Sequence, residues 1–91
     1  MTIKKVAAHS SSAARFLYDD DNNLRGLISY STHVITIDDN GWLVVSGLYS
    51  MTTIKHIGWF MREFNMAYQD AKALYNQHQK YNVYTGEIAD L

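Results

Sequence analysis

The sequence predicts an α+β domain: an antiparallel meander of three or four strands followed by two helices packed on one face. Residues 15–49 are rich in β-branched and aromatic residues, and residues 53–80 repeat their apolar residues with the 3.6-residue period of an amphipathic helix. Strands that precede helices, rather than alternate with them, are typical of this class. The 91 residues predict a single domain, with a flexible N-terminus over residues 1–13 and an extended tail over residues 81–91.

The strand half of the chain consists of short apolar segments separated by polar turns. Residues 33–38 and 42–49 carry the strongest strand pattern, and Asn40 and Gly41 between them predict a type I′ hairpin turn. A single strand over residues 25–38 is an alternative to two strands, but it would need a bulge near its centre to keep one face inward. Further strands are predicted at residues 15–18 and 24–30, on either side of a polar turn at 19–23.

The clearest helix is predicted over residues 53–64. At about 100° per residue, four apolar side chains fall on one stripe, which we expect to lie in the core. A hydroxyl of Thr52 or Thr53 is expected to cap the first turn. Gly58 lies at the edge of the stripe, and close approach of another element would explain a glycine there. The four expected core residues are Ile54, Ile57, Met61 and Phe64.

A second helix is predicted over residues 67–78, with His78 partly buried in the seam between the two helices. Asn65 lies at the joint, where it either ends the first helix or caps the second. The tail that follows predicts an extended piece with a turn at Thr85 and Gly86.

Composition and charge exclude several classes of protein. A hydrophobic fraction of 47% argues against disorder. The net charge of −1 conceals a mildly basic helical part and an acidic strand part, but neither charge block is strong enough to identify a partner. The absence of cysteine excludes disulfides, a thiolate nucleophile and cysteine-based zinc sites. The longest apolar run is shorter than the roughly 18 residues of a transmembrane helix. We therefore expect a cytoplasmic protein with no membrane contact.

The ionisable residues form none of the spacings that catalysis or metal binding requires. No two of the four histidines have helical ligand spacing, and the chain has no Gly-x-Ser-x-Gly elbow and no Gly-rich phosphate loop. The oxygen-rich turn at 19–23 lacks the glycine and the bidentate acid of a calcium loop. A hydrolase would require His33, His56 and Asp38 or Asp39 to converge. We expect a non-enzymatic protein with no metal site and no cofactor.

One side of the first helix carries a candidate binding surface. Lys55, Trp59 and Arg62 fall together there, with Thr52 and His56 beside them. A tryptophan flanked by basic residues has the composition of an interface anchor. We therefore expect these five residues to bind a partner protein, on the condition that Trp59 is not buried. The edges of the strand meander could also pair with a second copy of the chain, so a homodimer is an alternative.

A small nucleic-acid-binding or regulatory protein that uses the same helix is the alternative. The two helices have a tight joint, superficially like a helix-turn-helix. Lys55 and Arg62 would contact phosphates, Trp59 would stack on a base, and the helix start at Thr52 and Thr53 would receive a phosphate. The domain is not basic, which argues against this hypothesis, because few basic residues release few counterions from a nucleic acid.

Three parts of the chain carry a resemblance: Ile-Ser-Tyr-Ser-Thr-His-Val-Ile-Thr-Ile at 28–37, Gly-Leu-Tyr-Ser-Met-Thr-Thr with the following Lys-His-Ile at 47–57, and Tyr-Asn-Val-Tyr-Thr-Gly-Glu at 81–87. Together with Phe60 and Phe64 they resemble small uncharacterised proteins of phages and prophages of Gram-positive bacteria, over residues 25–87. The resemblance implies no activity and no functional residues. It implies a protein made inside an infected bacterial cell, where small phage proteins often inhibit host proteins, including CRISPR effectors. We therefore expect a phage-derived protein-interaction module that inhibits a host defence system.

Overall fold

The structure, a computed structural model, describes residues 2–5 and 13–91, and it describes only the backbone of residues 2–5. The described residues form one antiparallel sheet with its strands in chain order, and two helices connect the fifth strand to the sixth. Neither helix is long and apolar enough to cross a membrane. The strands are β1 (Thr2–Lys5), β2 (Ala14–Tyr18), β3 (Leu24–Ser29), β4 (Thr32–Ile37), β5 (Trp42–Val45), β6 (Gln79–Asn82) and β7 (Ile88–Asp90), and the helices are α1 (Met51–Arg62) and α2 (Tyr68–Asn76).

The predicted α+β class is confirmed, because a strand meander precedes two helices that pack on one face of the sheet. β3 and β4 are separate strands joined by a turn at residues 30–31, so the single-strand alternative is wrong. Strands β1, β6 and β7 go beyond the predicted meander. β1 lies in the N-terminal segment expected to be flexible, and residues 6–12 of that segment lie outside the described residues.

The core lies between the helices and one face of the sheet. Strand register places Phe16, Leu27, Ile35 and Val45 side by side across β2 to β5. The ring of Phe60 on α1 meets Phe16 edge to face, with 5.4 Å between ring centroids. The helices complete the core with Ile57, Phe60, Met61, Ala71 and Leu74, all buried.

Helix α1 begins two residues earlier than predicted, with a different cap. Ser50 has the extended backbone of a cap residue, and its hydroxyl accepts the N–H of Thr53 at 3.3 Å. The predicted caps, Thr52 and Thr53, already lie within the helix. The cap prediction is wrong because both threonines already have helical backbone and Ser50 supplies the capping hydroxyl.

The buried face of α1 is only partly the predicted stripe. Ile57 and Met61 are fully buried, as predicted, but Ile54 and Phe64 are half-buried. The helix is rotated toward its polar side, so that the rest of its buried face consists of Thr53, His56 and Phe60.

The joint between the helices depends on local polar geometry. Asn65 has a left-handed φ of 57°, so it ends the first helix rather than capping the second. α2 then starts where the carboxylate of Asp70 accepts the N–H of Ala67. His78 is exposed and has a φ of 54°. Its predicted burial in the helix seam is wrong because α2 ends at Asn76, before the seam could include it.

The turn between β4 and β5 is not the predicted type I′. That type requires positive φ at both central residues, and only Gly41 has it in this turn, at 89°. The carboxylate of Asp38 instead accepts the N–H groups of Asn40 and Trp42 at 2.9 and 3.0 Å. The aspartate side chain therefore determines the turn.

Arg25 joins three turns at one end of the sheet. Its Nε donates to the Asp19 carboxylate at 2.8 Å, its Nη1 donates to the Asp38 carbonyl at 3.0 Å, and its guanidinium carbon lies 5.8 Å from the centroid of the Tyr84 ring. A backbone hydrogen bond from Asn23 and then the Arg25 guanidinium lower the pKa of Asp19 from 3.8 to about 2.

In the described part of the chain, no other element approaches Gly58 closely, so the prediction of a close contact there is wrong and a side chain can be added at this position. An added Cβ would meet only the Cβ of Tyr68, at 4.0 Å. We expect Gly58→Ala to raise the free energy of unfolding by about 0.5–1 kcal/mol, because alanine is the better helix former. Urea denaturation measures this. Gly41→Ala is the matched control. We expect this change to lower the free energy of unfolding, because the φ of residue 41 is positive and the added Cβ would overlap the ring of Tyr84.

The lowered pKa of Asp19 predicts acid sensitivity. Because the pKa is lower in the folded state than the ordinary 3.8, the carboxylate stabilises the fold fully above about pH 4 and loses this effect as the pH falls toward 2. Asp19→Asn should therefore lose less stability than wild type over this interval, measured by urea denaturation at several pH values. Asp20→Asn, in the same turn, is the control. Equal pH slopes for wild type and Asp19→Asn would contradict the prediction.

Candidate functional site

A buried polar cluster lies where the first turns of α1 meet the sheet. Ser29, Thr53 and His56 are each no more than 3% exposed. The Ser29 hydroxyl lies 2.7 Å from Nδ1 of His56 and 3.1 Å from the Thr53 hydroxyl. Among the described residues, no buried side-chain nitrogen or oxygen lacks a hydrogen-bond partner. The cluster thus avoids the cost of about 1–3 kcal/mol for each polar group buried without a partner.

Ser50 extends this cluster toward the surface. Its hydroxyl lies 3.2 Å from the hydroxyl of Thr53, in addition to accepting the Thr53 N–H. The end of β3 and the chain that enters α1 therefore meet at Thr53. Two tyrosines are the chain neighbours of the serines in this junction: Tyr30 follows Ser29, and Tyr49 precedes Ser50.

Two aromatic rings contact the imidazole of His56. The centroid of the Tyr30 ring lies 6.0 Å from it, and that of Trp59 lies 5.2 Å from it, both with tilted planes. Trp59 is half-buried and packs against the core, whereas Tyr30 is exposed. The histidine is thus hydrogen-bonded at Nδ1 and has an aromatic ring on each of two neighbouring residues beside it, so the buried cluster is in contact with both Tyr30 and Trp59.

Three large side chains are exposed around the start of α1. Tyr30 is 58% exposed, Tyr49 is 59% exposed and Met51 is 76% exposed. Both tyrosines have left-handed backbones, with φ of 58° and 48°, which is uncommon for bulky residues. Met51 shares one side of the helix with three of the predicted residues, at spacings of three or four. We use the name α1 surface for Tyr30, Tyr49, Met51, Lys55, Trp59 and Arg62.

The structure separates the five residues predicted to bind a partner. Thr52, Lys55 and Arg62 are exposed, and Trp59 is half-buried. His56 is only 1% exposed. The expectation that His56 is a surface residue is wrong, because its imidazole is hydrogen-bonded inside the buried cluster, and it is therefore left out of the α1 surface.

The residues that sequence reasoning missed lie at the ends of elements. Tyr30 and Tyr49 fall at the last positions of segments predicted as strands, where alternation assigns a face but cannot show a left-handed turn. Met51 precedes the predicted helix start. The available signal was an aromatic residue next to a serine at each predicted strand end, in Ser29-Tyr30 and Tyr49-Ser50.

The contact between Ser29 and His56 has the atom types of a nucleophile and its base. Both groups are buried, however, so a substrate cannot reach the Ser29 hydroxyl in this conformation. The hydrolase arrangement does not form either, because His33 lies near the start of β4 whereas Asp38 and Asp39 follow its other end, about 16 Å away along an extended strand. Within the described residues, no group of three histidine, cysteine or acidic residues could hold a metal ion.

Comparison with known protein families identifies a match over most of the chain. The model described as Family of unknown function (DUF8033) matches residues 1–83. The matched range contains the buried cluster and every residue of the α1 surface. No curated protein and no solved structure matches the chain.

The buried cluster predicts a large effect for one small change. Ser29→Ala should lower the free energy of unfolding by about 1–3 kcal/mol, because it removes the hydroxyl that partners both His56 and Thr53. Ser46→Ala is the control, since the Ser46 hydroxyl bonds backbone carbonyls at a more exposed position. Chemical denaturation followed by tryptophan fluorescence compares them. A loss for Ser29→Ala no greater than that for Ser46→Ala would contradict the role of the cluster.

Proposed function

The chain belongs to the DUF8033 family, whose function is unknown, and we propose that it is a non-enzymatic protein-interaction module that binds a partner protein through the α1 surface. The observation that carries the proposal is the exposure of Tyr30, Tyr49 and Met51 around one helix start. Aromatic and methionine side chains that are grouped and exposed are enriched where proteins bind one another.

The backbone of the two tyrosines strengthens the proposal. A bulky residue held at positive φ costs of order 1–3 kcal/mol, and such strain concentrates at functional positions. Glycine or asparagine would adopt this backbone more easily. Each tyrosine remains more than half exposed, although the ring of Tyr49 lies against Gly47, so contacts within the protein offset only part of this cost. Binding of a partner would bury both rings.

Basic residues extend the apolar patch along the helix. Lys55 and Arg62 are exposed on either side of the half-buried Trp59. Arginine and tryptophan are among the residues that most often dominate binding energy. The partner expected here has an apolar patch with acidic groups beside it, which would pair with these cations at the rim.

The resemblance to phage and prophage proteins supports a more specific form of the proposal. In that form, the partner is a protein of the infected bacterium, the protein acts in its cytoplasm, and binding inhibits a defence system such as a CRISPR effector. The rigid support of the α1 surface by a buried cluster suits an inhibitor, because a preorganised surface loses less entropy on binding.

Nucleic-acid binding through the same helix is the second candidate. The observation that favours it is the exposure of both Lys55 and Arg62 next to aromatic side chains that could stack on bases. Two phosphate contacts would release few counterions, so such binding would be weak and its affinity would depend only moderately on salt.

Removal of the tyrosines should abolish partner binding without loss of the fold. We expect Tyr30→Asn and Tyr49→Asn to recover the partner at one tenth of the wild-type amount or less, because asparagine keeps the left-handed backbone and removes the ring. Affinity capture from a bacterial lysate with quantitative mass spectrometry measures this, and Tyr75→Ala on α2 is the control. Equal recovery by all variants would overturn the proposed surface, and Trp59→Ala tests the predicted anchor in the same way.

The two candidates differ in their dependence on salt. If the protein binds nucleic acid, fluorescence anisotropy with labelled DNA and RNA should show affinity that falls about tenfold between roughly 50 and 200 mM salt, as expected of two phosphate contacts, and that disappears in Lys55→Ala/Arg62→Ala. We expect no retention of either nucleic acid at low salt. If nucleic-acid binding is observed and is lost when Lys55 and Arg62 are removed, the partner of the α1 surface is a nucleic acid and not a protein.

A further inference from the structure

The sheet ends in a short strand with an open outer edge. β7 pairs with β6, and no other described strand pairs with it. The N–H of Leu91 and the carbonyl of Glu87 form hydrogen bonds with the β6 side. Because bonding alternates along an antiparallel pair, the backbone groups of Ile88 and Asp90 point away from β6. Their N–H and C=O groups are therefore presented to an additional strand.

An apolar pocket lies beside this edge, between α2 and the last two strands. Its volume is about 210 Å³. Ile88 forms one wall and is itself 58% exposed. Pockets that hold drug-sized ligands have volumes of roughly 300–1,000 Å³, so this one suits one or two apolar side chains. The lining also includes Met66, Ala73, Leu74, Tyr81 and, at its polar margin, Asp70.

The edge and the pocket carry negative charge. Asp70 lines the pocket, and Glu87 and Asp90 are exposed along the β7 segment. The nearest basic residue on β6, Lys80, faces the opposite side of the sheet, where its ammonium lies 4.5 Å from the centroid of the Trp42 ring. Charged side chains at a strand edge limit unspecific pairing, and the charges at this edge are acidic. Its charge complements a basic chain.

We propose that β7 and this pocket form a second binding site, for an extended basic segment of a partner protein. The segment pairs with β7 and adds an eighth strand to the seven described strands of the sheet. The segment's backbone bonds the outward N–H and C=O groups of Ile88 and Asp90. An apolar side chain of the segment enters the pocket, and lysine or arginine residues two positions before and after it, on the same face of the added strand, lie near Asp70 and Asp90. Backbone bonding supplies part of the affinity and the pocket supplies specificity.

The test uses fluorescence anisotropy with the labelled peptide Thr-Lys-Thr-Val-Thr-Lys-Thr, in which the valine and both lysines lie on one face of the strand. We expect wild type to bind it, and Ala73→Leu and Asp90→Lys to bind at least tenfold more weakly. Leucine at the exposed position 73 would fill the pocket from α2 without entering the core, and Asp90→Lys reverses a charge at the edge. Met51→Ala, on the α1 surface, is the control and should bind as wild type does. This separates the second site from the proposed function.

Two further peptides and one further measurement decide the mode of binding. The same peptide methylated on alternate backbone nitrogens should not bind, and unchanged binding would overturn strand addition. The acidic analogue Thr-Glu-Thr-Val-Thr-Glu-Thr should not bind, and equal affinity would overturn the charge argument. Sedimentation of wild type should show no self-association through this edge. A dimer that dissociates in Ala73→Leu would instead make a second copy of the chain the occupant and overturn the proposal.

Discussion

The hydrogen bond between Ser29 and His56 determines how α1 lies on the sheet. A buried imidazole needs a polar partner, and at 2.7 Å the Ser29 hydroxyl supplies it. Since Thr53 contacts the same hydroxyl, two positions one turn apart on the helix are held at the end of β3. Apolar packing alone tolerates small rotations of a helix, whereas a directional bond between buried groups does not. The rotation of α1 and the residues it exposes therefore depend on this cluster.

A second polar group, the guanidinium of Arg25, holds together the turns at one end of the sheet. Arg25 bonds one turn through Asp19 and a second through the carbonyl of Asp38, and its guanidinium lies near the ring of Tyr84 in a third. A side-chain bond from Asn82 to the Asn40 carbonyl joins the second and third turns directly. These contacts link the last strands, which follow the helices, to the meander that precedes them.

Both proposed binding sites lie at the boundaries of this architecture. The α1 surface forms where the chain leaves the sheet to begin a helix, and its tyrosines are held outward by strained backbone next to the buried cluster. The β7 site forms where the sheet extends beyond the cover of α2 and leaves a pocket open. The first presents apolar and basic side chains, and the second presents backbone groups among acidic side chains. The two sites therefore suit partners of opposite charge.

Sequence periodicity by itself determined the fold class, the central strands and the existence of both helices, because local pattern and propensity agree there. It also identified Lys55 and Arg62 as solvent-facing. Only the tertiary structure decided that His56 is buried, because its partner lies 27 positions away in the chain and no local pattern reports such a bond. Tertiary contacts likewise decided that Tyr30 and Tyr49 face outward, since a left-handed residue at the end of a strand changes the direction of its side chain without changing the apolar pattern.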